Sequence, residues 1–209
     1  MKLKTRMVGL FAALSIVCGL GCSSNNCLPQ EAEYELEDVV VQLTGNHNST
    51  LNASRSATFR MTSIRPKGRA VGTATLFSYR GKQIVVTAAH VVRGATGYFI
   101  ESRYEAGVER HLKLIYYDEV ADIAIMIPTT KIETIKPIKL RTAKSKHMYV
   151  GTKTIYSGYP NNHSMLTIHG RISGFTNSAN LILDTYGWGG ASGSSVFDEK
   201  GRLLGVLSA

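Results

Sequence analysis

The sequence predicts an all-β protein, and three observations carry that prediction. Short β-rich runs recur from residue 72 to the end, turns rich in Gly, Pro, Asn or charge separate them, and no stretch beyond residue 21 sustains a helical period. Spacing of this kind belongs to a sandwich or a barrel. The 209 residues give room for one ordinary domain or for two small barrels sharing an interface. An apolar fraction of 44% is that of a folded chain and excludes disorder as the dominant state.

Taken in order, the chain opens with the cationic "MKLKTR" and the apolar "MVGLFAALSIVCGLG", which is short for a membrane span and ends in small residues before Cys22. Residues 1–21 therefore read as an export signal. A membrane anchor is the competing reading, but no stop-transfer charge follows. "GLGCSSNN" resembles a bacterial lipoprotein lipobox, with Gly21 before the cysteine and a polar spacer after it, although Gly19 stands where leucine is usual. That resemblance implies lipidation of Cys22 and a membrane tether facing the periplasm or cell surface. Ordinary signal cleavage and a Cys22–Cys27 disulfide are the alternatives. Cys18 falls inside the signal, so the mature chain holds no cysteine pair able to staple its body.

Residues 22–55 read as a tether. They hold "EAEYELED" with five carboxylates, a possible strand at 39–43 in "VVVQLTG", and most of the Asn-, Ser- and Thr-rich "NHNSTLNASRSATF". From Val39 onward 21 basic residues face 10 acidic ones, a balance of +11. A basic surface governs encounter with anions but does not define an activity. The cations are scattered and are not interleaved with aromatics, so no nucleic-acid partner is expected.

The body, residues 56–209, is a succession of strand candidates: "GTATLFSY", "QIVVTAA", "GYFIES", "RHLKLIYY", "DIAIMI", "MYVGTKTIYSGY", "MLTIHGRISGF", "NLILDT", "SSVFD" and "RLLGVLS". A single turn of helix fits "AAHVVRG". "YRGK" and "DEKGR" read as hairpin turns in which Gly81 and Gly201 supply the unusual backbone angles.

Three strings in this succession carry chemistry. His90 ends the apolar run "IVVTAAHVV", Asp122 opens "ADIAIM", and Ser192 lies in "GGASGSS". Catalysis by serine needs a base for the hydroxyl proton, a carboxylate to fix the imidazole tautomer, and donors aimed at the developing oxyanion. Singly, each residue has an ordinary structural explanation: a strand-end histidine, a turn aspartate, a turn serine. Together, "TAAH", "DIAIM" and "GASGSSVFDEKGRLLGV" resemble the chymotrypsin-like (trypsin-like) serine peptidase family, especially its compact bacterial, Deg-type members, and their order agrees as well. The likeness runs from about Val71 to the C-terminus, without a PDZ-like domain.

The resemblance implies two packed antiparallel β-barrels. It makes Ser192 the nucleophile, His90 the general base and acid, Asp122 the orienting group, and the backbone amides of Gly190 and Ser192 the oxyanion hole. Ser194 and Ser195 become structural, and Tyr186 with Gly187 falls at the primary specificity pocket. No cofactor is implied. His47, His111, His147, His163 and His169 show no ligand spacing, so no metal is expected, and "GWGGASG" lacks the lysine of a phosphate loop.

The sequence also departs from the family. Ala191 precedes the nucleophile where digestive members carry an aspartate that pairs with a freed N-terminus, a device Deg-type relatives also lack. The sequence given reaches only Ala209, which predicts a shortened second barrel with an open edge, covered by residues 39–43 or by "IKPIKL". The leading function is an exported serine endopeptidase acting on protein or peptide through an acyl-enzyme. The alternative is a catalytically silent, peptide-binding surface lipoprotein on the same fold.

Overall fold

The computed structural model describes residues 49–176 and 180–209. The signal, Cys22 and the possible strand at 39–43 lie outside the described residues. Strand β1 (Thr58–Arg65) lies before the first of the predicted runs, whereas β2 (Gly68–Tyr79), β3 (Lys82–Thr87), β4 (Gly97–Glu101), β5 (Glu109–Asp118) and β6 (Ile123–Pro128) follow those runs closely. They pair in the order β1-β4-β5-β6-β3-β2, and β1 pairs again with β2, so the sheet closes into a six-stranded barrel. The predicted hairpin turns are present: Arg80 and Gly81 both take left-handed angles between β2 and β3 (φ 49° and 78°), and Gly201 does so at φ 70°.

The second sheet contains β8 (Lys153–Gly158), β9 (Leu166–Phe175), β10 (Leu181–Asp184), β11 (Ser195–Asp198) and β12 (Leu203–Val206), after the two-residue β7 (Ile138–Lys139). Its order is β10-β9-β8-β11-β12, a curled half-barrel that does not close. The fold is thus the chymotrypsin-like one, with a full barrel and a partial one.

Alternation along β2 and β3 explains how the halves join. Ala74, Leu76 and Val85 point into the barrel core with Phe59, Met61, Ile100 and Met126. The intervening Phe77, Ile84 and Val86 point outward and meet Phe197 of β11, with the Phe77 and Phe197 rings 6.0 Å apart. Strands buried on both faces read as continuous apolar runs, as "QIVVT" does. A third cluster around Tyr156, Ala191, Val196 and Leu204 fills the half-barrel.

Two expectations need correction. The tether does not run to residue 55, because Ser49–Ser56 forms a helix, α1. Tertiary hydrogen bonds stabilise it against weak intrinsic propensity: Ser54 Oγ donates to Ser157 Oγ at 2.9 Å and Arg55 donates to Thr167 Oγ1 at 2.6 Å. "IKPIKL" does not cover the edge of the second sheet, because its β7 residues lie parallel to β2 in the first. The residues just after it reach that edge instead. Leu203 N donates to the Arg141 carbonyl and Ala143 N to the Leu203 carbonyl, at 2.7 and 2.8 Å.

Candidate active site

The three predicted residues meet at the junction of the two halves. β3 runs out opposite the start of β6, with Thr87 paired to Ala124. The single helical turn α2 (Ala89–Val92) therefore emerges beside the residue that precedes β6, and the Ala89 amide donates to the Asp122 carbonyl at 3.1 Å. Asp122 takes a left-handed conformation, φ 52°, which aspartate tolerates better than most residues. Its carboxylate engages His90 twice: Oδ1 accepts the main-chain N–H at 2.9 Å and Oδ2 meets ring Nδ1 at 2.7 Å. With Nδ1–H directed at the carboxylate, Nε2 is left as the basic nitrogen of the ring.

A further group on this carboxylate escaped the sequence reading. Ser208 Oγ donates to Asp122 Oδ2 at 2.8 Å. Burial opposes the charge on Asp122, but the hydrogen bonds from the His90 amide, the Ser208 hydroxyl and the His90 ring outweigh it and hold the carboxyl below the usual range. The only sequence signal for Ser208 was its place at the end of "RLLGVLS".

Ser192 is buried in a turn between Gly190 (φ 96°) and Gly193 (φ 91°). Both glycines are obligatory. A Cβ on Gly190 would stand 2.5 Å from the Tyr159 carbonyl oxygen, and one on Gly193 would stand 2.0 Å from the Thr73 carbonyl oxygen. Among the described residues the amides of Gly190 and Ser192 donate to no backbone carbonyl, as amides kept for an external oxygen must. The Ser194 and Ser195 hydroxyls are buried and meet no hydrogen-bond partner among the described residues.

Thr73, fully buried on β2, ties this turn to the first barrel. Its amide donates to the Ser192 carbonyl at 2.8 Å, and its hydroxyl donates to the Gly190 carbonyl at 2.8 Å while accepting the Tyr159 amide at 3.1 Å. Thr87 Oγ1 completes the tie by donating to the Thr73 carbonyl at 2.7 Å. One residue thus fixes the carbonyls on both sides of Ala191.

The Ser192 hydroxyl is engaged with Ala209: Oγ donates to its main-chain oxygen at 2.6 Å and accepts its amide at 3.2 Å. No hydrogen bond joins Ser192 to the His90 ring among the described residues. Ser208 and Ala209 therefore bridge the carboxylate and the serine. A Cβ on Gly187 would stand 3.8 Å from the Ala209 side chain. The Tyr186 ring is half-exposed and stacks on Trp188, 6.4 Å between centroids, while the Tyr186 carbonyl accepts the Tyr156 hydroxyl.

A family model described as a trypsin-like peptidase domain matches residues 72–206. The fold is similar to the crystal structure of the serine endoprotease from Yersinia pestis, with a TM-score of 0.64, 19% identity, and 79% of this chain and 58% of that one covered. It is similar also to an HtrA-type protease, AlgW with tripeptide (TM-score 0.62, 21% identity, 76% and 53% covered). A third likeness is to the Rv3671c protease from M. tuberculosis in its active form (TM-score 0.61, 21% identity, 76% and 72% covered). The chain spans 58% and 53% of the first two. No curated protein matches it in sequence.

Proposed function

This chain belongs to the trypsin-like peptidase family, and from that premise we propose that it is an exported serine endopeptidase with Ser192 as nucleophile, His90 as general base and acid, and Asp122 as the group that orients His90. The observation that carries this reading is the double engagement of His90 by Asp122 beside the glycine-flanked turn that presents Ser192. Ser192 Oγ would leave Ala209, turn to Nε2, and attack the scissile carbonyl as its proton passes to Nε2. The amides of Gly190 and Ser192 would then donate to the developing oxyanion. His90 then returns the proton to the leaving amine, and water resolves the acyl-enzyme by the same steps reversed.

The engagement of Ser192 by Ala209 favours one second reading, a silent peptide-binding module on the same fold. A fluorophosphonate probe separates the two. The peptidase reading expects labelling that disappears in Ser192→Ala and in His90→Ala; well-folded protein that takes no label sinks it. The location is a proposal of its own, supported by residues 1–22: Cys22→Ser is expected to move the protein from membrane to soluble fractions, and unchanged partitioning rejects lipidation.

A further inference from the structure

The second sheet carries a charged groove whose lining does not include Ser192. Two adjoining clefts of about 480 and 420 Å³ share the walls formed by Lys153, Arg171 and Glu199. The larger gathers Lys146, Lys153, Arg171, Lys200 and Arg202, and the smaller extends past Arg171 to Tyr186, in the chain segment that leads directly into the Ser192 turn.

Folding does not account for this charge. Lys153 stands directly opposite Arg171 in the β8–β9 register, a like-charge pairing that weakens a sheet. Three carboxylates line the clefts, Asp184, Asp198 and Glu199, and the last two are already committed. Glu199 meets Lys153 Nζ at 3.1 Å, and Asp198 holds Arg202 Nε at 2.5 Å while accepting the amides of Lys200 and Arg202. Lys146, Arg171 and Lys200 meet no carboxylate among the described residues, although Asp184 is Arg171's register partner on β10. His147 adds a donor, because its Nδ1 accepts the Lys144 amide at 3.0 Å and leaves Nε2–H.

We propose that this groove binds an acidic segment of a polypeptide, and that such a segment belongs to the substrate whose scissile bond reaches Ser192; the second clause rests on the peptidase reading and the first does not. An extended chain suits a site made of two connected clefts with cations spread along them, and its carboxylates supply the charge that Lys146, Arg171 and Lys200 lack. Acidic substrates would then be selected by charge at a distance from the bond cleaved, leaving the half-exposed Tyr186 and Trp188 to meet the residues nearer it.

The test uses the full chain carrying Ser192→Ala, so that nothing is cleaved, and a fluorescein-labelled glutamate-rich decapeptide read by anisotropy. The glutamate peptide is expected to bind, its glutamine counterpart to bind far less, and the Lys146→Glu, Arg171→Glu double variant to lose about tenfold or more in affinity, with a similar loss at raised ionic strength. A neutral pair, Lys146→Gln with Arg171→Gln, is expected to fall between and serves if the reversed pair folds poorly. Equal binding of the two peptides, unchanged affinity in both pairs, or tighter binding of a single-stranded oligonucleotide would overturn the proposal. Peptide binding by the Ser192→Ala chain, combined with no fluorophosphonate label on the folded chain that keeps Ser192, removes the peptidase reading and leaves the groove standing.

Discussion

The two sheets use the same alternation of inward and outward side chains but reach different degrees of completeness. The first returns on itself through β1 and β2, so each of its six strands has at least two neighbours. The second leaves β10 and β12 as margins, and among the described residues Arg141–Ala143 covers β12 at Leu203. His90 and Asp122 sit on the closed half and Ser192 on the open one. The difference teaches that the site's acid–base pair is set by local strand pairing, whereas the serine's position depends on ties between the halves. Among those ties are the packing of Phe77 against Phe197 and the hydrogen bonds of Thr73.

The comparison breaks hardest at Thr73. Thr73→Val keeps the shape and removes the hydroxyl, leaving the buried Gly190 carbonyl and Tyr159 amide without their partner, at a cost of about 1–3 kcal/mol. Urea denaturation measures that loss. If the tie matters to chemistry as well as to folding, kcat falls more than KM rises, and Thr73→Ser restores both. A variant destabilised but unchanged in kcat would show that the open half holds Ser192 without help from the closed one.

A smaller effect sharpens the same contrast at high pH. Burial, and then the charge of Tyr186, pushes the Tyr156 phenol up to about 12. The unfolded chain ionises near 10, so this group's contribution is whole below that value and is lost as pH rises from about 10 through about 12. Alkaline destabilisation should therefore begin in the half-barrel, where burial raises Tyr159 too. Tyr156→Phe is expected to reduce the fall in Tm between pH 8 and pH 11 by about 3 °C. An undiminished fall would place the alkaline weakness elsewhere.

Much of this was legible in the sequence, and what was not has physical causes. The strands could be read because most have one face in a core, and those at the junction have two. His90, Asp122 and Ser192 could be read because three local strings fall in one order. α1 was hidden because its support comes from Ser157 and Thr167, far along the chain. Thr73 was hidden because a threonine in a strand is unremarked until its hydroxyl is found between two loops. Ser208 and Tyr186 depended on how a chain segment returns to the site, which no periodicity encodes.

The stacked pair at residues 186 and 188 has a practical side. Trp188 is the chain's one tryptophan, its carbonyl accepts the Ala191 amide at 2.9 Å, and its ring is 56% exposed. Intrinsic fluorescence of this protein is therefore a single-site signal originating four residues from Ser192. Whatever displaces Ala209 or settles against Tyr186 changes the colour and yield of that emission, which makes the unlabelled protein its own optical gauge of occupancy.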